Sequence, residues 1–165
     1  MQRSGILNHQ LAGAIAALGH GDMLLVVDAG FPIPRDAHRI DLAVLRDLPD
    51  LRTVLHAIHR ELIVERVVYA SEMAANNAPL HGFLEEEFRG VELDARPHAD
   101  MLGRAATEAK TIVRTGAFDP WGNIGLVSGV DVPAWFGRDG VVMPGSYEER
   151  HAAMRRESAE GRWAR

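Results

Sequence analysis

The sequence of 165 residues contains no cysteine, so disulfides, thiolate metal sites and cysteine nucleophiles are excluded. It has no apolar run near the roughly 18 residues that cross a bilayer. The N-terminus Met1-Gln2-Arg3-Ser4-Gly5-Ile6-Leu7-Asn8-His9 lacks the basic-then-apolar order of a secretory leader. The last two absences make the cytoplasm the expected compartment and leave no role for a membrane partner. An excess of positive charge is also missing. The formal charge is −5 and the pI about 5.9, so there is no electrostatic footprint for a nucleic acid. No glycine-rich phosphate loop of the GxGxxG or GxxxxGK[ST] type occurs, and no nucleotide cofactor is expected.

The chain has 47% hydrophobic and 25% charged residues, the proportions of a globular domain with a real core. Leu11 to Leu18 reads as a first helix. Met23-Leu24-Leu25-Val26-Val27 is a continuous apolar run, the pattern of a strand buried on both faces, and it ends at Asp28. Phe31-Pro32-Ile33-Pro34 is barred from helix by its prolines and must form a shaped loop. Further strands are predicted at 39–44, 64–69, 91–93 and 124–127. Further helices are predicted at 50–58, 73–76 and 81–88, and over 100–115 with Gly116 as the stop. Strands alternating with helices give a three-layer α/β/α domain with a largely parallel sheet, whose ligands sit where strand ends meet loops.

The densest chemical signal is Gly19-His20-Gly21-Asp22 followed by Asp28-Ala29-Gly30. Glycines on both sides present the imidazole of His20 on a tight loop, and Asp28 emerges from a buried strand. A histidine and a carboxylate facing one pocket make an acid/base pair. The same two residues also suit a helix end and an opening turn, and spacing alone does not choose between the readings. His56 and His59 stand three apart on an amphipathic helix, but with no third ligand in view they read as structural, and no metal is expected. Glu85-Glu86-Glu87 reads as a solvated helix face.

The string LGHGDMLLVVDAGFPIPRDAHRIDLAV, with the opening Gly5-Ile6-Leu7-Asn8, resembles the N-terminal signature of the D-ribose pyranase and L-fucose mutarotase family (RbsD/FucU). Ile112-Val113-Arg114-Thr115-Gly116 through Pro120-Trp121-Gly122-Asn123-Ile124 resembles its C-terminal signature, and the two bracket residues 5 to 132. The Asp28 to Pro34 form belongs to the ribose branch, since the fucose branch carries a histidine where this chain has Gly30. The resemblance implies a cofactor-free isomerase that interconverts pyranose and furanose, or anomers, of a free monosaccharide, D-ribose first. Its alternatives are a mutarotase for another sugar such as L-fucose, or a catalytically silent sugar-binding protein associated with sugar transport. By the same resemblance His20 is the proton donor, Asp28 the sugar-binding carboxylate, and Trp121, Gly122 and Asn123 the sugar-binding segment. Tryptophan replaces the family's tyrosine there. His98 is the candidate second pocket histidine, one residue further from Gly116 than the family pattern. The family forms closed rings with pockets between neighbouring subunits, so a pentamer or decamer is implied.

The resemblance leaves residues 133–165 uncovered. Trp135, Phe136, Val141, Val142, Met143 and Tyr147 are too many apolar groups for a solvated linker. A helix is predicted from Tyr147 to Arg156, with Ser146 as its cap. The expected organisation is a domain over 1–132 and a docked arm over 133–165 with its last several residues frayed.

Overall fold

The structure, a computed structural model, describes residues 5–159. The expected fraying at the C-terminus falls outside those residues. The chain divides into two units, Met1–Gly129 and Val130–Arg165.

The first unit is built on a six-stranded sheet of order β2-β5-β1-β6-β3-β4. Its strands are β1 (Met23–Val27), β2 (Arg39–Asp41), β3 (Val64–Ala70), β4 (Glu92–Arg96), β5 (Thr111–Arg114) and β6 (Ile124–Ser128). The β2–β5, β5–β1 and β3–β4 pairings are parallel, and β6 alone runs antiparallel, between β1 and β3. Every residue of β1 is buried, as its unbroken apolar run predicts. Leu24 and Val26 face one core with Val67, Val113, Ile124 and Leu126. Met23, Leu25 and Val27 face the other with Val68, Ile112 and Val127.

The helices divide between these two faces. On the first lie α1 (His9–Ala16), α2 (Leu51–His59), α3 (Met73–Asn76) and α4 (Ala78–Glu87), which contribute Leu11, Leu51, Leu55, Ile58, Met73, Leu80 and Leu84 to the core. α2 has its apolar residues at helical spacing and is capped by Asp50, whose carboxylate accepts the Thr53 N–H at 3.0 Å. Such a cap is worth about 1 kcal/mol. On the second face lie α5 (His98–Asp100), a π turn (Met101–Ala105) and α6 (Ala106–Glu108), burying Met101, Ala105 and Ala106. The three-layer α/β/α expectation therefore holds.

The helix predicted over 100–115 is corrected. Helical backbone ends at Glu108, Ala109 turns extended, and Thr111-Ile112-Val113 forms the strand between β1 and β2. The β-branched triplet favours a pleated, packed surface, and so short a run suits a strand buried on both faces as well as it suits a helix. β2 is shorter than predicted because the Asp41 carboxylate turns the chain by accepting the Ala43 N–H at 3.1 Å.

In the second unit, α7 (Val132–Phe136) is a helix that the sequence pattern does not announce. A 3₁₀ turn (Gly145–Tyr147) leads into α8 (Glu148–Ala159), so Ser146 lies in that turn. The Phe136 and Tyr147 rings lie 5.2 Å apart.

Gly116 follows β5 where the loop after β2 crosses it. A Cβ there would stand 2.3 Å from the Leu45 carbonyl oxygen and 2.7 Å from that of Leu48, so backbone must move to admit it. Gly116→Ala is expected to destabilise the protein by roughly 1–3 kcal/mol, read as a lowered denaturant midpoint. An unchanged midpoint would mean that the loop yields freely.

Candidate functional site

Strand direction places the polar residues. β1, β3, β4 and β5 leave the sheet at one edge, and antiparallel β6 enters at that edge. The residues just outside these strand ends therefore meet there: Asp28 after β1, Glu72 after β3, His98 after β4, Thr115 after β5, and Trp121 to Asn123 before β6.

Asp28 is the centre of this group. The turn it opens is fixed by its own carboxylate, which accepts the Gly30 N–H at 2.7 Å, while the Ala29 N–H donates to the Ala117 carbonyl at 2.9 Å. The buried Asn123 holds it from the other side, its Oδ1 accepting the Asp28 N–H at 3.3 Å and its amide bonding the Asp28 side chain. Burial raises the Asp28 carboxyl above the ordinary range. The N–H groups of Gly30 and Phe31, the Asn123 amide and the nearby charge of His98 oppose the shift without cancelling it. Desolvation disfavours the charged form and outweighs these partners.

Trp121 adopts a left-handed backbone, φ 58°, which costs a residue with a Cβ about 1–3 kcal/mol and recurs at functional sites. Two contacts hold the turn: the Asn123 N–H donates to the Trp121 carbonyl at 2.8 Å and the Gly122 N–H to that of Asp119 at 3.0 Å. At Gly122 a Cβ would meet the Asp119 carbonyl oxygen at 2.8 Å, so glycine is required. The indole is half-buried and packs against both cores. His98 starts α5, and its N–H donates to the Glu72 carboxylate at 3.0 Å. Asn77, at the start of α4, donates to the Pro120 carbonyl at 3.0 Å. The β3–α4 connection thus braces both the His98 and the Trp121 turns.

His20 is not in this group. It precedes β1 on the opposite edge, and a strand of five residues separates the two ends by roughly 15 Å. The expected meeting of His20 and Asp28 in one pocket does not occur within a single chain. The carboxylate that His20 meets is Glu65, with Nε2 2.9 Å from Oε2. Glu65 escapes sequence reading because its partner is 45 residues distant; its only signal is a charge at the start of an apolar strand. Glu72, Lys110 and Arg114 escape it for the same reason. His56 and His59 converge on Glu87, at 3.1 and 2.9 Å, so the carboxylate read as a solvated face is an anchor. Among the described residues no group of His, Cys, Asp or Glu is arranged to hold a metal ion, and no helix is long and apolar enough to cross a membrane.

Comparison with known proteins gives a consistent picture. A model of the RbsD / FucU transport protein family matches residues 1–131. D-ribose pyranase 2 of Rubrobacter xylanophilus is 62% identical over 150 residues, covering 91% of this chain and 97% of the relative. D-ribose pyranase 1 of Streptomyces griseus is 61% identical over 150 residues, covering 91% and 99%. Both alignments are longer than the 131 residues of the family match and run into the C-terminal unit. Among solved structures, Bacillus subtilis RbsD complexed with D-ribose superposes with a TM-score of 0.75 at 36% identity, covering 79% of this chain and 98% of that one.

The raised Asp28 carboxyl has a consequence for stability. When the folded pKa lies above the unfolded one, the native state binds the extra proton, so stability falls as pH rises through that interval and stays lower above it. Asp28→Asn removes the charge and keeps an acceptor for Gly30. It is expected to raise the melting temperature at pH 7, with a gain that shrinks as pH falls through the carboxylate range. An Asp28→Asn protein that melts lower than wild type at pH 7 would contradict this.

Proposed function

The chain belongs to the RbsD/FucU transport protein family, and we propose that it interconverts the pyranose and furanose forms of free D-ribose by opening and reclosing the hemiacetal ring. The observation that carries this reading is a half-buried, under-solvated carboxylate, Asp28, held by Asn123 beside His98 and Trp121. The relatives named D-ribose pyranase, matched over nearly their full lengths, and the ribose-bound RbsD support the choice of sugar.

Ring opening needs a proton delivered to the ring oxygen and one removed from the anomeric hydroxyl; closure reverses both, so no redox step or net proton change arises. In the proposed roles, Asp28 and Asn123 bind hydroxyls, the Asn123 amide both donating and accepting. The Trp121 face packs on the apolar side of the ring, His98 adds a second polar contact, and His20 donates the proton, with Glu65 orienting its imidazole.

Because one chain holds His20 and Asp28 at opposite edges, the proposal includes a neighbouring copy that supplies His20 to the Asp28 edge. The working assembly is then a closed homo-oligomer, a pentamer or decamer, in the cytoplasm. Val44, Leu45, Leu48 and Phe118 are 71%, 69%, 53% and 58% exposed, a large apolar surface for a monomer to leave in water. They belong to segments tied to the Asp28 edge, where the Phe118 N–H donates to Asp47 at 3.0 Å and the Asp47 N–H to the Gly116 carbonyl at 2.7 Å. Residues 133–165 are assigned as an arm appended to a mutarotase domain of 1–132, with a part in assembly; Trp135 and Val142 in that arm are 54% and 86% exposed.

Saturation-transfer NMR on D-ribose tests the chemistry. Wild type is expected to accelerate exchange between pyranose and furanose signals, and His20→Ala to lose about a hundredfold of the rate or more while staying folded. Mixing His20→Ala with Asp28→Asn subunits is expected to restore part of the activity, because some pockets then receive both intact residues. Sugar binding without faster exchange would identify a silent binding protein. Light scattering is expected to give a closed oligomer for the full chain and a smaller or less stable one for residues 1–132. An active 18.1 kDa monomer would refute the composite site.

A further inference from the structure

We propose that Lys110 and Arg114, the two cations that bracket β5, are positioning residues for the two halves of the site: Lys110 for the loop that carries His20, Arg114 for the turn that carries Asp28. The proposal rests on the catalytic reading above.

β5 lies beside β1 in parallel, with Leu24 opposite Thr111 and Val27 opposite Arg114. Lys110, just before β5, and Arg114, its last residue, therefore stand next to the two ends of β1. At the entering end, Lys110 Nζ donates to the Ala17 carbonyl at 2.8 Å and to Asp22 Oδ2 at 2.5 Å. The same Asp22 oxygen accepts the Gly19 N–H at 2.7 Å. One ammonium thus ties both ends of the Ala17–Asp22 loop, with His20 at its tip. The Lys110 hydrogen bond, and then the Gly19 N–H, hold the Asp22 carboxyl below its ordinary range. Leu18 packs on the core and the Gly21 N–H donates to the Ser128 carbonyl at 2.8 Å; the Lys110 tie joins the two ends of the loop between these anchors, where Gly21 has φ +83°. The His20–Glu65 contact fixes only the ring.

At the leaving end, Arg114 Nη1 donates to the Ala29 carbonyl at 3.1 Å, next to Asp28. Its Nε and Nη2 donate to the Asp41 carboxylate at 3.1 and 2.9 Å. Asp41 is itself held by Arg39 at 2.5 Å and by the Ala43 N–H at 3.1 Å. The guanidinium therefore links the Asp28 turn to a fixed carboxylate on the next strand. The geometry needs donors in a planar fork, which lysine does not offer, whereas the Lys110 site needs only a compact point charge.

These contacts are made to the loop that carries His20 and to the turn that carries Asp28, so the proposed effect passes through those two residues. Misplacing a reacting group by about 1 Å costs up to a hundredfold in rate. In the full-length oligomer, Lys110→Met is expected to lower kcat for ribose exchange by about ten- to a hundredfold with KM nearly unchanged. Arg114→Met is expected chiefly to raise KM, by about tenfold. Lys110→Arg should retain activity better than Lys110→Met, and Arg114→Lys should fail nearly as badly as Arg114→Met. A second readout does not depend on turnover. With ¹³C-labelled histidine and aspartate, Lys110→Met should move the His20 ring resonance and leave Asp28 Cγ in place, and Arg114→Met should do the reverse. If wild type fails to accelerate exchange, the catalytic reading falls, and the resonances alone decide whether the two ties exist. Unmoved resonances, or equal losses in kcat and KM for both variants in step with lowered melting temperatures, would overturn the proposal and leave the two cations as general stabilisers.

Discussion

The burial of β1 on both faces governs the rest of the molecule. Five consecutive apolar side chains, with parallel β5 on one side and antiparallel β6 on the other, leave no room for a polar group along the strand. Desolvating an unpaired polar side chain there costs several kcal/mol, so the chemistry is displaced to the two ends, where loops and water can satisfy it. His20 and Asp28 are eight positions apart in sequence and face different surroundings for this reason. The sheet, through its order and direction, decides which other residues each of them meets.

The site accepts local costs that a purely structural protein would avoid. A carboxylate is partly desolvated at Asp28 and a tryptophan is held at positive φ. Both persist because neighbouring backbone over-determines them: the Gly30 and Ala29 N–H bonds on one side, and the Asn123 and Gly122 N–H bonds on the other. Conflict between local preference and global fold concentrates at functional positions, and here it falls on the residues gathered at one sheet edge.

Local pattern carried much of this into the sequence. The β1 run, the Asp50 cap with its amphipathic helix and the α3 tetrapeptide are legible because each depends on its own residues. Reading 100–115 as one helix failed where the deciding fact was tertiary: Thr111 to Arg114 pair with two strands from distant segments, and nothing within the window reports that. The individual site residues were legible as motifs, but their grouping was not. Separation of His20 from Asp28 follows from strand direction, and the His20–Glu65 and Glu72–His98 contacts follow from strand order, neither of which periodicity encodes. The left-handed backbone at Trp121 gave no warning either, since tryptophan is a poor residue for that conformation.

The reversed strand β6 has one more consequence. β5 and β6 are not neighbours; β1 lies between them, so the chain from Thr115 to Asn123 leaves the sheet and re-enters it at the same edge, bridging the end of β1 where Asp28 sits. Past Thr115, whose N–H still donates to the Val27 carbonyl at 2.9 Å, that span belongs to no strand, yet it supplies Ala117, Trp121, Gly122 and Asn123 to the surroundings of Asp28. Backbone crowding fixes glycine at 116 and 122, so within this span it is the side chains between those two positions, the exposed Phe118 among them, whose replacement would leave strand register untouched while altering what surrounds Asp28.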